Sequence, residues 1–378
     1  MKRSLERMLC THVGSLPRPQ AIREFILQGS ADTASRENFR DAVRGAVQDV
    51  VAVQVQAGLD IVNDGEQSKP SFSSYVSDRL TGFDGPPGTM PLAREAGEFP
   101  EWWSEHFGNR QLRGSCKGPI EWRDFGAVEA DIRSLKDASA SLPVTELFMT
   151  AASPGTIANF FPNHYFPSRE RYLAAIADAM KREYEAIATA GIILQIDCPD
   201  LALRHFWFPD LSIEDFRREI ALNVEALNHA TAGIPPESMR MHVCWGAGEQ
   251  PHNHDVELDD IVDILLTARP AGLSIVGANG RHEHEWHVWE RHRLAEGKVL
   301  IPGVIDNTTN IIEHPACVAE RIVRYADVVG RENVIAGVDC GFATSAGGRP
   351  AVDPKIVTAK LAALRQGADL ATRHLWGK

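Results

Sequence analysis

His242-Val243-Cys244, inside the run MRMHVCWGAG at residues 239–248, sets an imidazole and a thiol one residue apart among apolar neighbours. Residues i and i+2 of a strand project from one face, so in a strand both groups point the same way. Cys340, in DCGF at 339–342, offers a second thiol much further along the chain. Nitrogen and sulfur donors of this kind suit zinc, whose catalytic sites commonly take three protein ligands and leave one position open. The spacing admits a plainer reading equally well. Cys244 and Cys340 would then be small buried hydrophobes and His242 a hydrogen-bonded core residue.

Other polar runs carry less. RHEHEWH at 281–287 reads as the start of a surface helix rich in His and Glu, and HNHD at 252–255 as a polar loop. GAGEQP at 246–251 is not the G-x-G-x-x-G of a dinucleotide site. Neither a G-x-S-x-G elbow nor a phosphate-binding loop of the Walker type occurs.

The elements that must position these groups alternate. Strand-like runs fall at 9–14, 60–65, 145–150, 192–197, 239–244, 272–276, 299–305 and 333–339. Helical patterns occupy 33–57, 168–190, 212–231, 256–268, 313–329 and 353–374. Strands alternating with helices predict a parallel sheet covered on both faces, and eight such units predict an α/β fold of the closed (β/α)8 TIM-barrel type. Residues 67–142, rich in Gly, Pro and Trp, form a large insertion after strand 2, expected as a lid over the C-terminal face. No linker divides the chain, so 1–378 is expected to be a single catalytic domain. Active sites of such barrels sit at the C-terminal strand ends. Those ends carry Glu66, Asp197, His242, Cys244 and Cys340.

Bulk properties bound the function classes. The net charge of −12 with no basic stripe argues against nucleic acid or an anionic membrane as partner. No run approaches the roughly 18 apolar residues of a membrane span. The opening MKRSLERMLC has no apolar core, so no signal peptide is expected. Six scattered cysteines fit reduced thiols in a cytoplasmic enzyme.

Taken in order, THVGSLPRP (11–19), DGEQSKPSF (64–72), KGP (117–119), SPGTIANF (153–160), LQID (194–197), HVC (242–244) and DCGF (339–342) resemble the catalytic barrel of cobalamin-independent methionine synthase. The resemblance runs over nearly the whole chain. It implies that His242, Cys244 and Cys340 are ligands of a Zn2+ cofactor. It implies that Val13, Gly14 and Ser15 hold the carboxylate of homocysteine. Glu66 and Asp197 match the acidic pair that receives its ammonium at the catalytic centre. Lys117 and Phe160 match segments lining the folate side, with Phe160 where the family has a stacking tryptophan. Two positions depart from the pattern: Val276 replaces a fourth, glutamate ligand, and Thr308 replaces a histidine proton donor.

The expected activity is zinc-dependent methyl transfer to a thiol such as homocysteine, from 5-methyltetrahydrofolate or another donor. Zinc would hold the thiol as its nucleophilic thiolate, and Glu283 could swing in where Val276 leaves a gap. Partners are then a small-molecule thiol and an alkyl donor, with homo-oligomerisation left open. Two alternatives accompany this reading. One is an epoxide-opening enzyme similar to epoxyalkane:coenzyme M transferase, for which Arg18, Lys69, Arg113 and Lys117 supply cations for a sulfonate. The other is a metal-free barrel similar to uroporphyrinogen decarboxylase. Trp102, Trp103 and Trp122 of the insertion would either stack on a donor ring or seal the lid.

Overall fold

The computed structural model describes residues 1–28, 33–106, 112–347 and 351–377; positions 107–111 of the expected lid lie outside them. Six parallel strands make one sheet: β1 (Ile61–Val62), β2 (Glu146–Ala152), β3 (Ile193–Asp197), β4 (Met239–Val243), β5 (Gly272–Ile275) and β6 (Val299–Pro302). They are hydrogen-bonded in chain order, β1 to β6.

The expectation of eight strands is corrected at the first and last runs. Residues 9–14 and 333–339 form no strand of their own: isolated parallel bridges pair Cys10 with Ala336, Leu300 with Val334 and Gly303 with Gly337, and the Ile335 and Gly337 amides donate to Leu300 O and Pro302 O of β6, each at 3.0 Å. In the first run side chains take the place of two ladder partners. The Leu9 amide donates to Ser4 Oγ at 3.0 Å and the Cys10 amide to Asp60 Oδ2 at 2.8 Å. β1 stops for the same reason, since the Asn63 amide donates to Gln54 Oε1 at 2.9 Å. Backbone donors must be paired when buried, and a side-chain acceptor satisfies them as well as a neighbouring strand does. Bonds nonetheless run across both runs, from the Thr11 amide to Ala336 O at 2.9 Å and from the Asp60 amide to Cys10 O at 3.0 Å.

Helices pack outside the sheet. The longest of those between strands, Arg169–Thr189, starts where Ser168 Oγ accepts from the Arg171 amide at 3.3 Å. It buries Tyr172, Leu173, Ile176, Met180, Tyr184 and Ile187, the spacing of one helical face. The expected helix at 256–268 is instead a 3-10 turn (Leu258–Asp260) and one α-turn (Val262–Leu265), parted at Ile261, whose φ of −126° leaves helical geometry.

The period of two along each strand separates two apolar clusters. Leu9, Ile61, Phe148, Ile193, Val299, Ile301 and Ile335 pack together on one face. Met149, Leu194, Ile196, Met241, Val243, Leu273 and Ile275 join the core shared with the helices. On the first face the column turns polar towards the strand ends. Ile193 is followed at steps of two by Gln195 and Asp197, and Arg240 by His242 and Cys244. Arg240, fully buried, lies 3.6 Å over the Phe148 ring and donates to Gln195 Oε1 at 2.8 Å and Thr11 Oγ1 at 3.1 Å. An apolar floor with a paired guanidinium above it thus carries the groups that end the strands.

Candidate functional site

His242, one residue before the end of β4, lies beside Asp197 of β3 and Ser274 of β5, its register partners. Its Nε2 lies 3.4 Å from Cys340 Sγ, and its Nδ1 faces Ser274 Oγ at 3.2 Å. One donor atom from each of His242, Cys244 and Cys340 lies within 4.8 Å of the others, and all three residues are buried. Ligands on one tetrahedral zinc, at about 2.1 Å for nitrogen and 2.3 Å for sulfur, stand roughly 3.5 Å apart. The three side chains therefore fit a shared ion. Within the trio the Cys244 thiol is held well below its ordinary range by the hydrogen bond from Cys340 and by His242. The same hydrogen bond pushes the Cys340 thiol up.

Asp339, just before Cys340, ties this segment to the end of β5. Its two oxygens accept the amides of Gly277, Ala278 and Asn279 at 2.8, 2.8 and 2.6 Å. Burial pushes its carboxyl up to about 7 against those three donors. Val276, the residue before them, is buried.

The acidic pair is close by. Glu66, in a left-handed turn (φ 57°), takes a hydrogen bond from Thr150 Oγ1 on Oε1 at 2.8 Å. Its Oε2 accepts no hydrogen bond among the described residues, and Arg18 Nη2 lies 3.8 Å away. Asp197 Oδ1 accepts from Gln195 Nε2 at 2.8 Å, and burial, with the Glu66 charge adding to it, raises its carboxyl. Val13-Gly14-Ser15 runs between these groups. Gln195 Nε2 also donates to Val13 O. Gly14 has φ 140°, and a Cβ there would come within 2.6 Å of Thr150 Cγ2 and 3.3 Å of Glu66 Oε1. Ser15 packs on Gly341, where a Cβ would meet its Oγ at 2.0 Å.

The structure thus gathers Val13, Gly14, Ser15, Glu66, Asp197, His242, Cys244 and Cys340 at one end of the sheet. The remaining expected residues have other partners, and two of them, Arg18 and Lys69, still lie beside Glu66 and Thr150. Lys117 is half-exposed on the insertion, 3.3 Å from Asp84. Phe160 packs edge-on against Trp207 and Phe72, at centroid distances of 4.9 and 5.7 Å. Trp207 borders a cavity of about 330 Å³ with Pro91, Leu112 and Phe208. Thr308 bonds Asp306 Oδ1 through its hydroxyl at 2.8 Å. Glu283 is paired with Arg321 at 3.3 Å and Arg324 at 3.6 Å. Of the candidate cations, Arg18 Nη1 donates to Ala343 O at 2.7 Å and Lys69 Nζ to Thr150 O at 2.5 Å. Trp122 Nε1 donates to Ala179 O at 2.8 Å, fastening the insertion to a sheet-covering helix.

Sequence reasoning missed a second group. His252 and Asp255 of HNHD are buried, as are His282 and Glu285 of RHEHEWH, together with His205 and Glu95. Each motif is thus only partly surface: Asn253, His284 and His287 are exposed, and Glu283–His287 opens a short helical stretch, while His252 and His282 turn inward. The available signal was the Trp245 that follows HVC, whose ring lies 4.4 Å from that of His282.

Comparison with known proteins places this geometry in context. Residues 8–85 and 149–363 match the family described as cobalamin-independent synthase, catalytic domain. A methionine synthase of Saccharolobus solfataricus is 24% identical over 368 residues, covering 97% of this chain and 95% of that one. One from Thermococcus kodakarensis is also 24% identical over 368 residues, covering 96% and 93%. A B12-independent methionine synthase from a Shewanella species, solved in complex with selenomethionine, superposes with a TM-score of 0.76 at 19% identity over 98% of this chain and 100% of that one. A putative one from Listeria monocytogenes gives a TM-score of 0.64 at 19% identity, over 96% and 99%.

Proposed function

Because this chain belongs to the cobalamin-independent methionine synthase family, we propose that it is a zinc-dependent methyltransferase whose acceptor is homocysteine. The observation that carries this reading is the meeting of two unlike sets of groups. One set is soft, with one nitrogen and two sulfurs within 4.8 Å of one another. The other is acidic, with Glu66 Oε2 buried and without a hydrogen-bond donor among the described residues. A thiol carrying an ammonium group satisfies both.

His242 Nε2, Cys244 Sγ and Cys340 Sγ would hold the zinc. Zinc bound there supplies Lewis acidity that lets an incoming thiol lose its proton near neutral pH and act as a nucleophile. Ser274, at His242 Nδ1, holds the ring so that Nε2 faces the two sulfurs. Thr150 fixes Glu66 Oε1 and leaves Oε2 for the ammonium, while Gln195 fixes Asp197 Oδ1 on the neighbouring strand. The Val13–Ser15 backbone, held by Gln195 and by Gly341, would seat the substrate carboxylate. Arg18 Nη1 and Lys69 Nζ donate to backbone carbonyls and Arg18 Nη2 lies 3.8 Å from Glu66 Oε2, which weighs against a sulfonated thiol. The donor is read as 5-methyltetrahydrofolate or another methyl carrier.

We read the sheet as a closed eight-unit barrel, supported by the bonds that link residues 9–11 to 336 and to 60. Residues 1–378 then form one domain with 67–142 as its cover. Glu98 of that segment bonds His254 at 2.6 Å and Asn253 at 2.7 Å, past the end of β4. No helix among the described residues is long and apolar enough to cross a membrane. All six cysteines are free, which supports a reducing cytoplasmic setting.

The test is direct. Purified protein with one zinc at this cluster should methylate homocysteine from methyl-folate monoglutamate or from one of a panel of other methyl donors. Full activity in protein stripped of metal would overturn the reading.

A further inference from the structure

Glu95 sits in the short helix Arg94–Glu98 of the 67–142 segment and is only 1% exposed. Neither of its oxygens accepts a hydrogen bond among the described residues. Removing a carboxylate from water without a partner costs several kcal/mol, so an ionised Glu95 implies a positive charge beside it. What it faces is His205, whose Nε2 lies 3.8 Å from Glu95 Oε1. The other ring nitrogen of His205 lies 3.1 Å from Asp255 Oδ1, with neither atom in a hydrogen bond.

The rest of the group does not supply the charge. Asp255 Oδ2 takes His252 Nδ1 at 2.7 Å and His282 Nε2 at 2.8 Å, and His282 Nδ1 faces Glu285 at 2.9 Å. Those histidines are used up on Asp255, on Glu285 and, for His252 Nε2, on Gly248 O at 3.3 Å. Even if both are counted as imidazolium, they match only Asp255 and Glu285, and Glu95 is left to share His205 with Asp255.

One donor atom each from Glu95, His205 and Asp255 lies within 4.8 Å of the others. Ligand atoms about 2.1 Å from a common ion stand roughly 3.0 Å apart in octahedral and about 3.4 Å apart in tetrahedral geometry. The 3.1 Å between His205 and Asp255, without the alignment of a hydrogen bond, falls in that range. We propose that Glu95, His205 and Asp255 form a second divalent-metal site that fastens the 67–142 segment to the loops beyond β3 and β4. One imidazole and two carboxylates suit a first-row ion of zinc, iron or manganese type, whereas the His242, Cys244 and Cys340 cluster is sulfur-rich. The two sites differ in ligand chemistry, so one probe separates them.

Chelator-stripped protein is titrated with Co2+ and followed by visible absorption and elemental analysis. Two equivalents are expected per chain, one giving an intense sulfur-to-cobalt charge-transfer band and one giving only weak d–d bands. Glu95→Gln and His205→Gln should each remove the weak-band equivalent alone. A Cys244→Ser/Cys340→Ser variant should keep it and lose the intense band. Removing the ion should also raise the rate at which protease cuts within 67–106. A single equivalent in the parent protein, unaffected by Glu95→Gln, would overturn the site. Should the double serine variant not fold, the Glu95→Gln titration in the otherwise unchanged chain decides it. Loss of the intense band with the weak one intact bears on the sulfur cluster and leaves this site standing.

Discussion

His242 Nε2 and Cys340 Sγ lie 3.4 Å apart although 98 positions separate them in sequence. Cys244 reaches the same point by strand alternation, but Cys340 arrives through Asp339, whose carboxylate is bound to the amides that follow β5. Either sulfur should therefore be indispensable. Cys244→Ser and Cys340→Ser are expected to lower metal affinity and methyl transfer by more than about 100-fold, with circular dichroism unchanged. Elemental analysis and a homocysteine methylation assay check both.

Ser274 tests the layer behind the ligand. Its Oγ is 3.2 Å from His242 Nδ1. Ser274→Ala leaves the ring free to turn and should weaken metal binding by about 10–100-fold. Competition with a chromogenic chelator reads the loss. Unchanged affinity would mean that packing alone orients the ring.

Glu66 and Asp197 should select the ammonium group. A hydrogen bond to a charged group contributes about 1.5–3 kcal/mol, so Glu66→Gln or Asp197→Asn is expected to raise KM for homocysteine roughly 10- to 100-fold. The same variants should leave KM for 4-mercaptobutanoate, which lacks the amine, nearly unchanged. Equal losses for both thiols would remove the assignment.

Asp64 gives the pH dependence. Burial raises its carboxyl from 3.8 to about 6. Between those values the folded chain binds more protons than the unfolded one, so this group's contribution to stability falls as pH rises through the window and is lost above it. The two units correspond to about 3 kcal/mol. Asp64→Asn keeps an acceptor for the Glu66 amide at 3.0 Å. It should melt higher than the parent at pH 7 and match it below pH 4.

What the sequence disclosed followed from periodicity. The i, i+2 rule put His242 and Cys244 on one face without any structure, and strands β2 to β6 coincide with five of the eight runs read from apolar residues. The first run was less legible, since Ser4 and Asp60 take amides that a strand would have paired, and nothing local marks Asp60, fifty positions on, as an acceptor. The histidines of HNHD and RHEHEWH misled for a related reason. A polar run reads as surface, yet Asp255 buries His252 and His282 by accepting from both. Such mutual satisfaction lies between segments, where a single-sequence pattern has no reach.

Asp339 bears on how this scaffold can diverge. Because it grips the three amides beyond Val276 from a neighbouring segment, the path of the main chain there does not depend on the side chain at position 276. One codon change can exchange that valine for an acid while the turn keeps its shape. The turn beyond β5 can thereby accept exchange at position 276 without rebuilding the segment that carries Cys340.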